Sequence, residues 1–172
     1  MSELIPVLTK EQIEEKIIET AGRISEDYKG SDLVLIGVLK GSFMFLSDLA
    51  KQISIPVKID FIGASSYGSD TKSSGTVKIT KEVSMDIKDK DILIVEDIVD
   101  SGITLAYLVE HFKSYGAKSV KVCTLLNKHE RRETNIKIDY FCHEINEGFL
   151  VGYGLDYNEE YRNLPEIYHL KL

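Results

Sequence analysis

Apolar positions along the chain repeat at two different spacings, and the alternation between them outlines the fold. Ile13, Ile17, Ala21, Ile24 and Tyr28 follow one another at intervals of four, four, three and four, which lays them on one face of a helix. Thr9 and Gln12 have the spacing of a capping box, so the helix is predicted to open at Thr9, and Gly30 stops it. The run Leu33-Val34-Leu35-Ile36-Gly37-Val38 is short and apolar without alternation, the pattern of a strand buried on both faces. Phe43 to Ile53 reads as a second helix. Val57 to Ile62 alternates as a strand, with Thr76 to Thr80 as its hairpin partner. Ile92-Leu93-Ile94-Val95 is a second buried strand, then come acids and a helix from about Thr104 to Tyr115, ended by Gly116. Val120 to Leu126 is a third buried strand. Beyond Asp139 the chain turns aromatic-rich and irregular, with short strands expected at Tyr140–His143 and Leu150–Gly152. Buried strands alternating with amphipathic helices predict an α/β domain on a mostly parallel sheet.

With 172 residues and neither repeats nor a linker, residues 1–172 are expected to form a single domain. No apolar stretch approaches the ~20 residues that span a bilayer. Met1-Ser2-Glu3-Leu4 has neither a basic flank nor a following apolar run, so no secretory signal is read there. Cys123 and Cys142 form no metal-ligand spacing and lie in apolar surroundings, as buried reduced thiols do. A cytoplasmic protein is expected. The net charge of −7 argues against a nucleic-acid binder, since affinity for a phosphate backbone needs clustered cations. Lys128-His129-Glu130-Arg131-Arg132 is the one basic run, short and broken by an acid.

Nine of the twelve residues from Ser65 to Thr76 are Ser, Gly or Thr, too little apolar surface to hold the segment rigid. It is either a long hairpin tip or a lid carrying one aromatic, Tyr67.

The candidate chemistry stands after the second buried strand, in Glu96-Asp97-Ile98-Val99-Asp100-Ser101-Gly102-Ile103-Thr104. Ligands of open α/β sheets bind at the carboxyl ends of the parallel strands. Acids crowded there repel one another unless something positive or hydroxyl-bearing sits among them. Ser101 to Thr104 then offers amides, two hydroxyls and a glycine at a helix start, a cradle for phosphate. Together they point to a phosphorylated sugar. A plain reading, in which Asp100 or Ser101 caps the helix, accounts for one residue and leaves the other acids merely solvated. No GxxxxGK[ST] motif occurs, and Gly152-Tyr153-Gly154 lacks the third glycine of a dinucleotide fingerprint.

From Ile92 to Thr104 the chain resembles the signature of the type I phosphoribosyltransferases: four aliphatics, two acids, two aliphatics, an acid, Ser/Thr, Gly, any residue, Thr. Leu39-Lys40-Gly41, Ser66-Tyr67-Gly68, Lys128 and the segment Val151 to Arg162 narrow the resemblance to the hypoxanthine-guanine phosphoribosyltransferases, bacterial type, over about Val34 to Leu164. The resemblance implies a twisted, mostly parallel sheet flanked by helices, a small hood built mainly from the C-terminal segment, and a flexible hairpin lid over about 65–76. It also implies the reaction: purine salvage, in which the 5-phosphoribosyl group of phosphoribosyl pyrophosphate passes to hypoxanthine or guanine, giving IMP or GMP and pyrophosphate.

Residue roles follow from the same resemblance. Glu96 and Asp97 would hold the ribose hydroxyls, directly or through Mg2+, and Asp100 would sit near purine N7 as proton acceptor. Ser101, Gly102, Ile103 and Thr104 would hold the 5′-phosphate, Ile103 through its backbone alone. Lys40, Gly41 and Arg162 would receive pyrophosphate, with the Leu39–Lys40 peptide cis. Lys128 would donate to the 6-oxo group, Phe149 would stack on the base, Leu150 would offer backbone contacts, and Asp156 would bind a second Mg2+. Ser66 and Tyr67 would belong to the lid. Read without the resemblance, Lys40 and Arg162 are surface residues, and Phe149 and Leu150 are core. The family implies a homodimer or homotetramer; Tyr107, Phe112 and Tyr115 fit an interface or the core equally. Two alternatives are a xanthine-preferring enzyme and a non-catalytic regulator on the same fold. The net charge and the retained Asp100 and Lys128 oppose the regulator.

Overall fold

The computed structural model describes residues 2–67 and 76–172. In chain order the elements are β1 (Glu3–Leu8), α1 (Lys10–Asp27), β2 (Leu33–Leu39), α2 (Phe43–Gln52), β3 (Val57–Tyr67) and β4 (Thr76–Lys81), followed by β5 (Asp91–Val99), α3 (Ile103–Ser114), β6 (Ser119–Lys128), β7 (Tyr140–Ile145), β8 (Leu150–Val151) and β9 (Ile167–Lys171). Six strands form the main sheet in the order β4-β3-β2-β5-β6-β7, parallel throughout except for the hairpin partner β4.

Strands without alternating polarity follow from a sheet covered on both faces. Leu33, Leu35, Leu93 and Val95 face one core with Ile13, Ile17, Ala21 and Ile24 of α1 and Phe45 and Leu49 of α2. Val34, Ile36, Ile92 and Ile94 face the other, with Leu105, Leu108 and Phe112 of α3. The capping box at the start of α1 is formed as expected: the Gln12 amide donates to Thr9 Oγ1 at 3.2 Å and the Thr9 amide to Gln12 Oε1 at 2.9 Å.

Several boundaries differ from the expectation. β5 runs past the aliphatics through the acids, because β6 continues beside it and pairs Glu96 with Thr124 and Val99 with Asn127. β3 continues to Tyr67, since β4 supplies ladder partners for Ala64, Ser65 and Ser66 whatever their polarity. Most of the segment expected as a lid, 68–75, lies outside the described residues. A small antiparallel sheet, β1-β9-β8, forms the hood; the hydrophobic pattern had marked β8 but neither β1 nor β9. Among the described residues no helix is long and apolar enough to cross a membrane.

Candidate active site

Chain order brings the site together. From β2 the chain crosses to β3 on one side and later returns to β5 on the other, so the carboxyl ends of β2 and β5 diverge around a crevice. Its two walls all but touch: a Cβ added to Gly41 would land on the Asp97 carboxylate, and one added to Gly154 on the Gly41 carbonyl. Only glycine fits such approaches, and Gly154 in addition has φ of +97°. The Leu39–Lys40 peptide is cis.

The cleft that opens here holds about 510 Å3 and is lined by Gly41, Ser65, Ser66, Glu96, Asp97, Asp100, Ser101, Gly102, Thr104, Asp156 and Arg162, with Leu39 among its apolar walls. Residues far apart in sequence and singled out separately thus share one concavity. Ile103 is not part of its lining; its amide donates to Ser101 Oγ at 3.3 Å. Gly102 starts α3 with φ of +82° and provides no side-chain cap of its own.

The acids are crowded. Burial pushes the Glu96 carboxyl well above its usual range, and the adjacent Asp97 charge pushes it further. Burial raises Asp97 too, against hydrogen bonds and the Arg162 charge that pull it down. Each carboxylate holds one backbone amide: Asp97 N donates to Glu96 Oε1 at 3.0 Å and Ile98 N to Asp97 Oδ1 at 2.7 Å. Asp156 lines the same cleft. It meets Arg162 Nη2 at 3.2 Å and accepts the Glu159 amide at 2.9 Å. Among the described residues no group of three or more His, Cys, Asp or Glu side chains is gathered to hold a metal ion.

Where pyrophosphate was expected, Lys40 Nζ lies 2.7 Å from Glu159 Oε2, and Arg162 Nη2 lies 3.3 Å from Glu159 Oε1. Arg162 Nη1 also donates to the Gly154 carbonyl at 2.7 Å. The Lys40 ammonium, then that of the Arg162 guanidinium, holds the Glu159 carboxyl below its usual range. Glu159 lies inside the segment Val151 to Arg162 that carried the resemblance, but it was given no role of its own.

Base recognition was expected at Lys128, Phe149, Leu150 and Asp156. Lys128, at the end of β6, is only 5% exposed, and its ammonium lies 3.7 Å from Asp100 Oδ2 and 3.2 Å from Glu130 Oε2. Asp100 Oδ1 is buried with no hydrogen-bond partner among the described residues. Leu150 is buried, whereas Phe149 is 47% exposed, so the core reading of Phe149 fails. Its ring packs perpendicular to that of Tyr157, with the centroids 5.6 Å apart. Sequence reasoning also missed Arg132. Its Nε donates to the Asp100 carbonyl at 3.1 Å, and Nη2 donates to Asn127 Oδ1 at 2.6 Å and to the Lys128 carbonyl at 2.8 Å. One guanidinium therefore ties the end of β5 to the end of β6. The only signal for it was its place in the basic run.

Residues 7–158 match the model of the phosphoribosyl transferase domain. The chain is 47% identical over 165 residues to a hypoxanthine-guanine phosphoribosyltransferase of Bacillus subtilis, covering 96% of this chain and 92% of that one. It is 45% identical over 170 residues to the hypoxanthine phosphoribosyltransferase of Escherichia coli, covering 97% and 96%. The crystal structure of a hypoxanthine phosphoribosyltransferase from Staphylococcus aureus superposes with a TM-score of 0.94 at 44% identity, covering 96% of this chain and 90% of that one. Likeness of this extent, in sequence and in backbone alike, makes the chain a member of the phosphoribosyl transferase family, in its hypoxanthine-guanine branch.

Proposed function

We propose that the protein salvages purines by transferring the 5-phosphoribosyl group of phosphoribosyl pyrophosphate to hypoxanthine or guanine. In this reaction a purine ring nitrogen forms a bond to C1′ as the bond from C1′ to the pyrophosphate oxygen breaks. Positive charge builds on the sugar, and the purine loses one proton. The observation that carries the reading is the pairing of Asp100 with Lys128. A buried ammonium able to donate to a 6-oxo group lies 3.7 Å from a carboxylate whose other oxygen is buried and unpartnered. A 6-oxopurine answers both, with an acceptor for Lys128 and an N7 proton for Asp100. Adenine would turn a 6-amino donor toward the ammonium.

The sugar phosphate falls to the rest of the cleft. Amides of Ser101 to Thr104, with the Ser101 and Thr104 hydroxyls, take the 5′-phosphate at the start of α3. Glu96 and Asp97 accept from the ribose diol, and their negative charge favours the cationic sugar of the transition state. Lys40, Gly41 and Arg162 take pyrophosphate, which displaces Glu159 from both cations. Phe149 stacks on the base, Leu150 bounds it, and Ser66 and Tyr67 belong to the lid that excludes water. A magnesium ion fits the acids: burial raises both carboxyls and the Asp97 charge raises Glu96 further, which a hard cation relieves. Mg2+ ordinarily uses one or two carboxylates and completes its shell with water and substrate phosphate, so no three-carboxylate cage is required. Glu96 and Asp97 would hold it, with Asp156 for a second ion, and it would neutralise charge on the diphosphate. The reading also carries a cytoplasmic location and a homodimer or homotetramer.

The test is a panel of hypoxanthine, guanine, xanthine and adenine, each with phosphoribosyl pyrophosphate and Mg2+, following the product nucleotide. Turnover of hypoxanthine or guanine with none of adenine is expected. A preference for xanthine would reassign the base, and no product from any of the four would overturn the reading.

A further inference from the structure

Glu130 breaks the one basic run of the chain and has no part in the reaction as described above. It stands two residues beyond Lys128, yet its carboxylate turns back, with Oε2 3.2 Å from Lys128 Nζ and 3.4 Å from the Gly148 amide that it accepts. Gly148 immediately precedes Phe149 and Leu150. The carboxylate thus links the lysine that reads the 6-position to the start of the wall that bounds the base. It is the nearer of the two anions at a buried ammonium, Asp100 being at 3.7 Å.

We propose that Glu130 is a positioning residue for base recognition: it draws the Lys128 ammonium off Asp100, so that one N–H remains for the purine 6-oxo group and Asp100 remains free to take a proton. The inference rests on the proposed function, since it concerns the same base site. An ammonium has three N–H donors and no acceptor. With one directed at Glu130 and one toward Asp100, the third is left for a ligand. Without Glu130, the attraction of Asp100 is unopposed, and a buried ion pair with one partner closes on it. An incoming base would then have to break a tight Lys128–Asp100 pair before either side chain could serve it. The sugar-phosphate side of the cleft, around Ser101 to Thr104, involves neither Glu130 nor Lys128, so its affinity is unaffected.

Glu130 is 43% exposed on a turn, so its replacement leaves the core intact. Glu130→Ala removes both contacts, whereas Glu130→Gln keeps an acceptor for Gly148 but no charge for Lys128. Steady-state kinetics of both variants, with Lys128→Gln as reference, separate the possibilities. Both Glu130 variants are expected to raise KM for hypoxanthine about three- to tenfold, and to move KM for phosphoribosyl pyrophosphate by less than about twofold. Glu130→Gln that matches the unaltered protein while Glu130→Ala does not would overturn the proposal, because the Gly148 contact alone would then matter. Parallel rises in both KM values would overturn it as well, as loosening of the fold. If the Glu130 variants are silent but Lys128→Gln loses 6-oxopurine selectively, the inference about Glu130 fails and the base site stands. If Lys128→Gln is silent too, both fail together.

Discussion

Asp100 directs one carboxylate oxygen toward Lys128 and leaves the other buried and unpartnered among the described residues. A buried acceptor without a donor costs about 1–3 kcal/mol, a cost that a ligand with a proton to give would remove. Replacement by asparagine keeps the size and removes the basicity. Asp100→Asn is expected to lower kcat at least about tenfold, in line with what a placed base contributes, and to leave phosphoribosyl pyrophosphate binding within about threefold. Single-turnover chemistry at the unaltered rate would remove Asp100 from the role. Its place in the cleft was legible in the sequence because the motif is contiguous: the acids, Ser101, Gly102 and Thr104 lie within nine positions. Glu130, Arg132 and Glu159 were not legible. Each acts across a turn or between strands, and nothing in a charged residue's own neighbourhood tells which distant partner it meets.

At the scale of elements, the sequence located the strands of the main sheet well where side chains alone decide burial, as in β2 and the start of β5. It misplaced ends that depend on a neighbour: β5 runs on through Glu96 and Asp97 because β6 lies alongside, and β3 runs on to Tyr67 because β4 does. β1 and β9 pair only with strands at the other end of the chain or in the hood, and their short, mixed sequences carry no periodic signal. The same dependence gives Asp60 its role. From the middle of β3 its carboxylate accepts the amides of Phe61 at 2.7 Å, Ser84 at 2.7 Å and Met85 at 3.1 Å, which pins the β4–β5 connection to the sheet. Burial works to raise its carboxyl, but these amides, with Lys81, hold it below the usual value. A carboxyl depressed in the folded state stabilises above its unfolded pKa of about 3.9, and that contribution is lost as pH falls through the folded value. Asp60→Asn is therefore expected to cost about 1–3 kcal/mol in urea unfolding at pH 7. The difference from the unaltered protein should shrink as pH falls below about 4. A difference independent of pH would assign the effect to shape rather than charge.

For the whole molecule, the decisive feature is a sheet covered on both faces, and it governs the two thiols as well as the core. Cys123 lies in β6 at 0% exposure, packed into the core shared with α1 and α2. Cys142 lies in β7 under α1, with Sγ 3.3 Å from Thr20 Oγ1. Burial pushes the Cys123 thiol well above its usual value, and the Cys142 thiol up to about 11. Both cysteines are free. Since only the thiolate reacts, at pH 8 Cys142 would present about 10⁻³ of itself in reactive form, against roughly a quarter for an unfolded cysteine. Burial slows access further. The native protein is thus expected to react with a disulfide reagent at least about 10²-fold more slowly than the protein unfolded in guanidinium, where two thiols titrate at once. Between pH 8 and 10 the native rate at Cys142 should climb about tenfold per unit, because its thiolate fraction does. A thiol that titrates in the native protein at pH 8 as fast as in the unfolded chain would mean that α1 does not cover β7 in solution. The first of the two cores would then have to be redrawn.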